Sequence, residues 1–321
     1  MTDILRGSAN RSTAPDTGSG AAAPGPGTRI DDVTIGYRIA RGMSADVFAV
    51  WHHGLFTPLV CKRLRPGDRK HVANRRRLRL EGQVLSLVSH PGIVRLVDQR
   101  PTCALPYLLL EHVGRRTLRD VVKTDGPFEV GAGVRIVQHV AAAVAHVHAR
   151  GFLHRDLKPS NVMLRDGRPV LLDFGVAWRL APRRRPPDRS GTPQYLAPEQ
   201  ITRGVLTRAT DVWGLAVMLV ELLTGERPFP EGAKDADAAL SDRYPQLVAA
   251  PRFARALPPG LVDVIDGCLA KNPHARPQTA MAVARALDPF TAVKIWPTAL
   301  HTTFDPFEAA QSPSTLRRMR A

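Results

Sequence analysis

With 321 residues, 44% of them hydrophobic and 23% charged, the chain has the composition of a globular protein with ample material for a core. Its 45 basic residues against 29 acidic ones give a net charge of +16, which favours anionic partners, but it has no basic–aromatic interleaving or zinc-finger spacing, and nucleic acid is not the expected partner. Cys61, Cys103 and Cys268 are odd in number and too dispersed for a disulfide framework or a metal-ligand set, so a reducing cytoplasm is expected.

In chain order, residues 1–29 are mostly Gly, Ala, Ser, Thr and Pro and are expected to be disordered. From Val33 onward, VTIGYRIA (33–40), DVFAVWHH (46–53) and TPLVCKRL (57–64) alternate and are rich in β-branched residues, and they predict successive strands. RRRLRLEGQVLSLVSH (75–90) predicts a helix whose buried face carries Leu78, Glu81, Leu85 and Val88. Its arginines Arg75, Arg76, Arg77 and Arg79 mostly face away from that stripe and are expected to be solvated. GIVRLVDQ (92–99) and YLLLEHV (107–113) predict two more strands. Past Gly114 the pattern turns helical. Residues 133–151 form a long helix with Val134, Val137, Val140, Val144 and Val147 near one face and Gly151 at its end. His139, His146 and His148 on it form no ligand constellation and read as surface or packed side chains.

Two short strands follow, NVML (161–164) and PVLLDF (169–174), and then helices alternating with proline-bearing loops. The stretch 211–225 is apolar nearly all round, so it is expected to be a central buried helix. No apolar run is expected to span a bilayer. The best candidate, 212–223, is short of the ~18–20 residues required and carries Glu221. The N-terminus lacks a charged-then-apolar signal pattern. The pattern ends near Leu287, and residues 289–321 form a tail, partly disordered, that ends in a basic segment.

Three places carry chemistry. Glu81 on a buried helix face needs a cation, because a lone carboxylate there is costly. Lys62, at the end of the apolar strand PLVCK, is the candidate; the alternative is a partly exposed acid near a helix boundary. In FLHRDLKPSNVML (152–164), Asp156, Lys158 and Asn161 share one loop between apolar strands. Twelve residues after Asn161, Asp173 ends a strand and is followed by Phe174 and Gly175. Asn161 and Asp173 are hard oxygen donors of the kind Mg²⁺ prefers.

On these residues the chain resembles a eukaryotic-like (Hanks-type) serine/threonine protein kinase of the bacterial kind, over roughly residues 34–288. The matching motifs are Lys62 in VCK, Glu81 nine residues before HPGIVRL, HRDLKPSN, DFG, GTPQYLAPE, DVWGLAVMLVELLTG and Arg276 in ARP. Seven motifs in order are far more specific than any one of them. The resemblance implies an α+β, bilobal protein-kinase fold: a small antiparallel β lobe with one key helix (30–112) and a larger, mainly helical lobe (113–288). It implies ATP and Mg²⁺ as cofactors and a protein substrate. Lys62, fixed by Glu81, would hold the α- and β-phosphates. Asp156 would accept or orient the substrate hydroxyl proton, with Lys158 on the γ-phosphate and Thr192 supporting both. Asn161 and Asp173 would bind the metal. Ile39, Val47, Val60 and Met163 would sandwich adenine, beside the gatekeeper Leu110 and the backbone of Glu111 and Val113. Glu199 would pair with Arg276, and Asp211 would anchor the catalytic loop.

Two departures stand out. The family's glycine-rich loop here reads Ala40-Arg-Gly42-Met-Ser-Ala45-Asp-Val47, with only the central glycine kept and Ser44 at the tip. A looser nucleotide cover and weaker ATP binding are expected; a pseudokinase, a binding module with this fold, is the alternative reading. The segment between Gly175 and Gly191 is the activation loop by the same resemblance. From Phe174 to Arg189 it has no Ser, Thr or Tyr, and its stretch 179–189 holds five arginines. The usual phosphorylation switch is therefore missing. Either Asp188 holds the loop or an anionic partner or substrate orders it; the plain alternative is a disordered loop. The arginines also imply an acidic substrate, and the lack of a sensor domain implies a regulatory protein partner.

Overall fold

The computed structural model describes residues 24–42, 45–65, 72–102, 106–186 and 188–291. The described chain falls into two compact units. One takes the residues up to 82 and 96–112; the other takes 83–95 and everything from 113 onward.

The first unit is an antiparallel sheet of six strands. They are β1 (Arg29–Ile30), β2 (Val33–Arg41), β3 (Ala45–His52), β4 (Thr57–Leu64), β5 (Leu96–Arg100) and β6 (Tyr107–Glu111). Their order is β1-β2-β3-β4-β6-β5. Alternation sorts the side chains onto two faces. One face carries the core cluster Val33, Ile35, Phe48, Val50, Leu59, Cys61, Tyr107 and Leu109. The register Val47↔Lys62↔Leu108 and Ala49↔Val60↔Leu110 puts Lys62 and its neighbours on the other. Helix α1 (Val72–Leu87) supplies the acid for Lys62. Leu78, Glu81, Leu85 and Val88 are all buried, as the periodicity predicts. Of its arginines, Arg76 and Arg79 are exposed, but Arg75 and Arg77 are half-buried, so that helix face is less solvated than its sequence implies.

Two expected boundaries shift. Of the segment 1–29 expected to be disordered, residues 1–23 lie outside the described residues, as does the tail beyond residue 291, but at its end the Gly27 N–H donates to Ile35 O (2.8 Å) and the Ile35 N–H to Thr28 O (2.9 Å), extending the sheet backward. Residues 83–95, placed by sequence with the small lobe, belong to the second unit. There Ile93 bridges Leu171, and the Val94 N–H donates to Leu171 O at 3.0 Å.

The second unit is mainly helical. Its helices are α2 (Leu118–Asp125), α3 (Val130–Ala149), α4 (Pro198–Ile201), α5 (Arg208–Thr224), α6 (Leu240–Arg243), α7 (Pro259–Cys268) and α8 (Ala280–Ala286). Two small sheets pair β7 (Phe152–Leu153) with β10 (Trp178–Arg179), and β8 (Val162–Arg165) with β9 (Arg168–Leu171). Every residue of α5 from Ala209 to Leu223 is buried, so it is the central helix its composition predicts. Helix α3 packs against α5 and α8. Gly133 allows this approach, since a Cβ there would sit 2.5 Å from a Leu223 methyl carbon. One expectation is corrected here: α3, at 20 residues, is long and apolar enough to cross a membrane by length and composition. Val134, Val137, Val140, Val144 and Val147 are instead buried within the same unit, which explains its apolar character without a bilayer.

Candidate active site

In the first unit, Lys62 Nζ lies 2.7 Å from Glu81 Oε2 and 2.9 Å from Oε1. The Glu81 side chain is 2% exposed and that of Lys62 16%. A buried carboxylate held at both oxygens by one ammonium fixes that ammonium in place. Val47, Val60 and Leu110 share its face of the sheet by register. Ile39 is the extra residue of a bulge between Arg38 and Ala40 and is exposed. At the β2–β3 turn, the Gly42 N–H donates to Ala45 O at 2.9 Å. A Cβ on Gly42 would meet that same backbone oxygen at 2.9 Å, so this one glycine is required by space. Ala40 is exposed and Ala45 buried; Met43 and Ser44 lie outside the described residues. Glu111, half-buried, ends β6.

In the second unit, the loop between β7 and β8 gathers the polar cluster. Asp156 Oδ1 accepts from the Thr192 N–H (2.8 Å) and Oδ2 from Lys158 Nζ (2.7 Å). Lys158 Nζ also donates to Thr192 Oγ1. Asn161 Nδ2 donates to Asp156 O (2.8 Å) and Oδ2 (3.1 Å). With its amide nitrogen so engaged, Asn161 keeps its carbonyl oxygen for a cation. Asp173 follows β9 with φ of 55°, in the left-handed region, and its Oδ1 accepts from the Gly175 N–H at 3.1 Å. Among the described residues no three His, Cys, Asp or Glu side chains converge as a metal site. The Asp173 carboxylate and the Asn161 amide oxygen are hard donors of the kind that would hold Mg²⁺. Met163, in β8, bridges Thr117, and Val113 opens the segment before α2; both are half-buried.

The loop is held from beneath by Asp211. Its Oδ2 accepts from the His154 N–H (2.9 Å) and faces His148 Nε2 at 2.7 Å, and its Oδ1 accepts from the Arg155 N–H (2.8 Å). Burial alone would raise its pKa. The hydrogen bond and charge of His148, with His154 and the Arg155 amide, outweigh burial and hold it below the usual carboxylate value. His154 Nε2 lies 3.1 Å from Leu172 O, so that nitrogen carries the proton and Nδ1 accepts from the Asp156 N–H (3.2 Å). Arg155 itself has φ of 71°. Glu199 and Arg276 form a buried bidentate pair at 2.8 and 2.9 Å.

Sequence reasoning missed several partners. His148, read as surface or packed, is the buried partner of Asp211. Gln200 donates from Nε2 to Arg155 O (3.0 Å), a contact that no sequence signal marks. Glu221, noted only as a charge in an apolar helix, accepts from Tyr195 Oη and from Arg119 Nη1 (3.1 Å). Burial and the Glu221 charge push the Tyr195 hydroxyl well above its ordinary value. These partners are 45, 63 and 102 residues apart in the chain, beyond the reach of any local signal.

Residues 33–287 match the protein kinase domain family, so the chain belongs to it. Serine/threonine-protein kinase PknB of Mycolicibacterium smegmatis is 37% identical over 213 residues, covering 64% of this chain and 34% of that protein. PrkC of Bacillus subtilis is 32% identical over 208 residues (64% and 32%), and PkaA of Streptomyces coelicolor 38% over 214 (64% and 38%). The resemblance to bacterial Hanks-type serine/threonine kinases is thus borne out. This chain spans about a third of the length of these curated relatives.

Proposed function

We propose that the chain is a serine/threonine protein kinase that transfers the γ-phosphoryl group of ATP, with Mg²⁺, to a protein hydroxyl. The observation that carries this is the Asp156 cluster. Thr192 N–H, Lys158 and Asn161 fix the carboxylate through four hydrogen bonds at both oxygens and its own carbonyl. In the reaction the substrate oxygen forms a bond to the γ-phosphorus, the bond from that phosphorus to the ADP oxygen breaks, and the hydroxyl proton leaves toward Asp156. Lys158 neutralises charge on the transferred group, and Lys62, fixed by Glu81, is assigned to the α- and β-phosphates. Mg²⁺, held by Asn161 and Asp173, would supply further charge neutralisation there. Such chemistry needs mainly positioning and electrostatics, and within each unit the residues are held in place by their own hydrogen bonds. The reaction is placed in the cytoplasm, where ATP is available.

Two finer features belong to this reading. With no hydroxyl from Phe174 to Arg189, activity does not depend on phosphorylation of that segment. The exposed Arg179, Arg183 and Arg185 favour an acidic protein substrate or an acidic regulatory partner. A nucleotide-binding scaffold is the second reading, favoured by the alanines at positions 40 and 45.

The test is transfer of labelled phosphate from ATP with Mg²⁺ to generic acidic and basic proteins, with Asp156→Asn alongside. Transfer that the variant loses, with the acidic protein preferred and that preference fading with salt, is the expected result. Nucleotide binding without transfer would favour the scaffold. Stoichiometric phosphate on Ser190 of active enzyme would count against independence from loop phosphorylation.

A further inference from the structure

Arg155 immediately precedes Asp156, and its side chain is only 3% exposed. A guanidinium so buried needs compensation by an acid or a π face. The structure supplies both from the segment that follows Asp173. Arg155 Nη1 donates to Val176 O at 3.3 Å, its guanidinium carbon lies 5.5 Å from the centre of the Trp178 ring, and Nη2 stands 3.7 Å from Asp188 Oδ1. The Trp178 ring is itself buried, paired in register with Leu153, and receives a second guanidinium, that of Arg184, at 4.5 Å.

Asp188 has a second task. Its Oδ1 also accepts from the Ser190 N–H at 3.3 Å, closing a small turn. Beyond that turn, Gly191 takes φ of 127°, and a Cβ there would lie 3.0 Å from Arg155 O. The next residue is Thr192, whose N–H and hydroxyl reach Asp156 and Lys158. Arg189, between them, is pinned by its Nε to Ile201 O at 2.6 Å. One carboxylate therefore joins the residue before Asp156 to the stretch of chain that delivers Thr192.

We propose that Asp188 is a positioning residue: a permanent negative charge that, through Arg155, sets residues 188–192 so that Thr192 meets Asp156. This deepens the kinase reading and rests on it. It gives the chain a built-in acid at the end of a stretch, residues 174–189, that has no hydroxyl to carry a phosphate.

The experiment compares the wild-type chain with Asp188→Asn, which keeps the shape, and Asp188→Glu, which restores the charge. Steady-state kinetics and amide hydrogen exchange of residues 188–192 are read together. In Asp188→Asn, kcat should fall by about tenfold, a modest loss for a pair whose acid is half exposed, with KM for ATP within about twofold of wild type. Exchange at 188–192 should quicken while the thermal midpoint stays near wild type. Asp188→Glu should regain most of both. A wild-type kcat or unchanged exchange in the Asn variant overturns the proposal, as does a Glu variant no better than the Asn one. If wild type transfers no phosphate, the kinase reading fails separately and the exchange comparison alone decides: faster exchange in the Asn variant supports the positioning role, and unchanged exchange overturns it.

Discussion

Arg276 shows how a single residue ties distant segments together. Its guanidinium meets Glu199 at two oxygens and donates to Ala270 O (2.7 Å), Ala209 O (2.9 Å) and Lys271 O (3.2 Å), and it lies 5.0 Å from the Trp213 ring centre. Removing one partner of a buried pair strands the other charge, so Arg276→Ala should destabilise the protein by about 3–5 kcal/mol. Urea unfolding followed by tryptophan fluorescence checks this; a loss below about 1 kcal/mol would mean that water replaces the arginine. Asp211 makes a pH-dependent contribution. Its folded pKa is depressed, so its stabilisation is complete above the unfolded value near 3.8 and is lost as pH falls through the lower folded value. Wild type should lose stability more steeply than Asp211→Asn between pH 4 and 3. Parallel slopes in urea titrations at those pH values would show that Asp211 is not the titrating anchor.

At the scale of elements, α2 depends on its first turn. Thr117 Oγ1 accepts from the Asp120 N–H (3.2 Å) while Asp120 Oδ2 accepts from the Thr117 N–H (2.8 Å), a reciprocal cap. Thr117→Ala should cost about 1 kcal/mol in urea unfolding and speed amide exchange within 118–125. If the same loss came with unchanged exchange there, the effect would lie elsewhere, since Thr117 also bridges Met163. This helix was not read from the sequence: it is eight residues long, and its main signal is the cap. The long elements were legible, because β2–β4, α1 and α3 carry enough apolar repeats to show a period and α5 is a long run apolar on all sides. The two-residue strands β7 and β10 carry no period at all, and they exist because Trp178 finds Leu153 in tertiary space. The site was legible through motif spacing, since Asp156, Lys158 and Asn161 lie within six residues. Of its supports, Asp211 and the Glu199–Arg276 pair were legible through the same resemblance, but His148 was not, because Asp211 meets it by proximity after folding.

For the whole molecule, two buried thiols serve as reporters, one in each unit. Cys61 lies in the β-sheet core and Cys268 at the end of α7, and burial pushes each from 9.0 up to about 12. Each thiol thus stays protonated at pH 8, before access is considered. In the Cys103→Ser background, native protein should therefore resist alkylation at pH 8, and each thiol should react only when its own unit opens. The two cores differ in size. The first closes one sheet over eight principal side chains, whereas the second is built round a helix buried over fifteen consecutive residues. Smaller cores bury a smaller fraction of their chain and are less stable. Under rising urea, with alkylated sites located by mass spectrometry, Cys61 should become reactive before Cys268. Simultaneous labelling would show that the two units unfold as one cooperative body. Labelling of Cys268 first would reverse the order of stability that the cores imply.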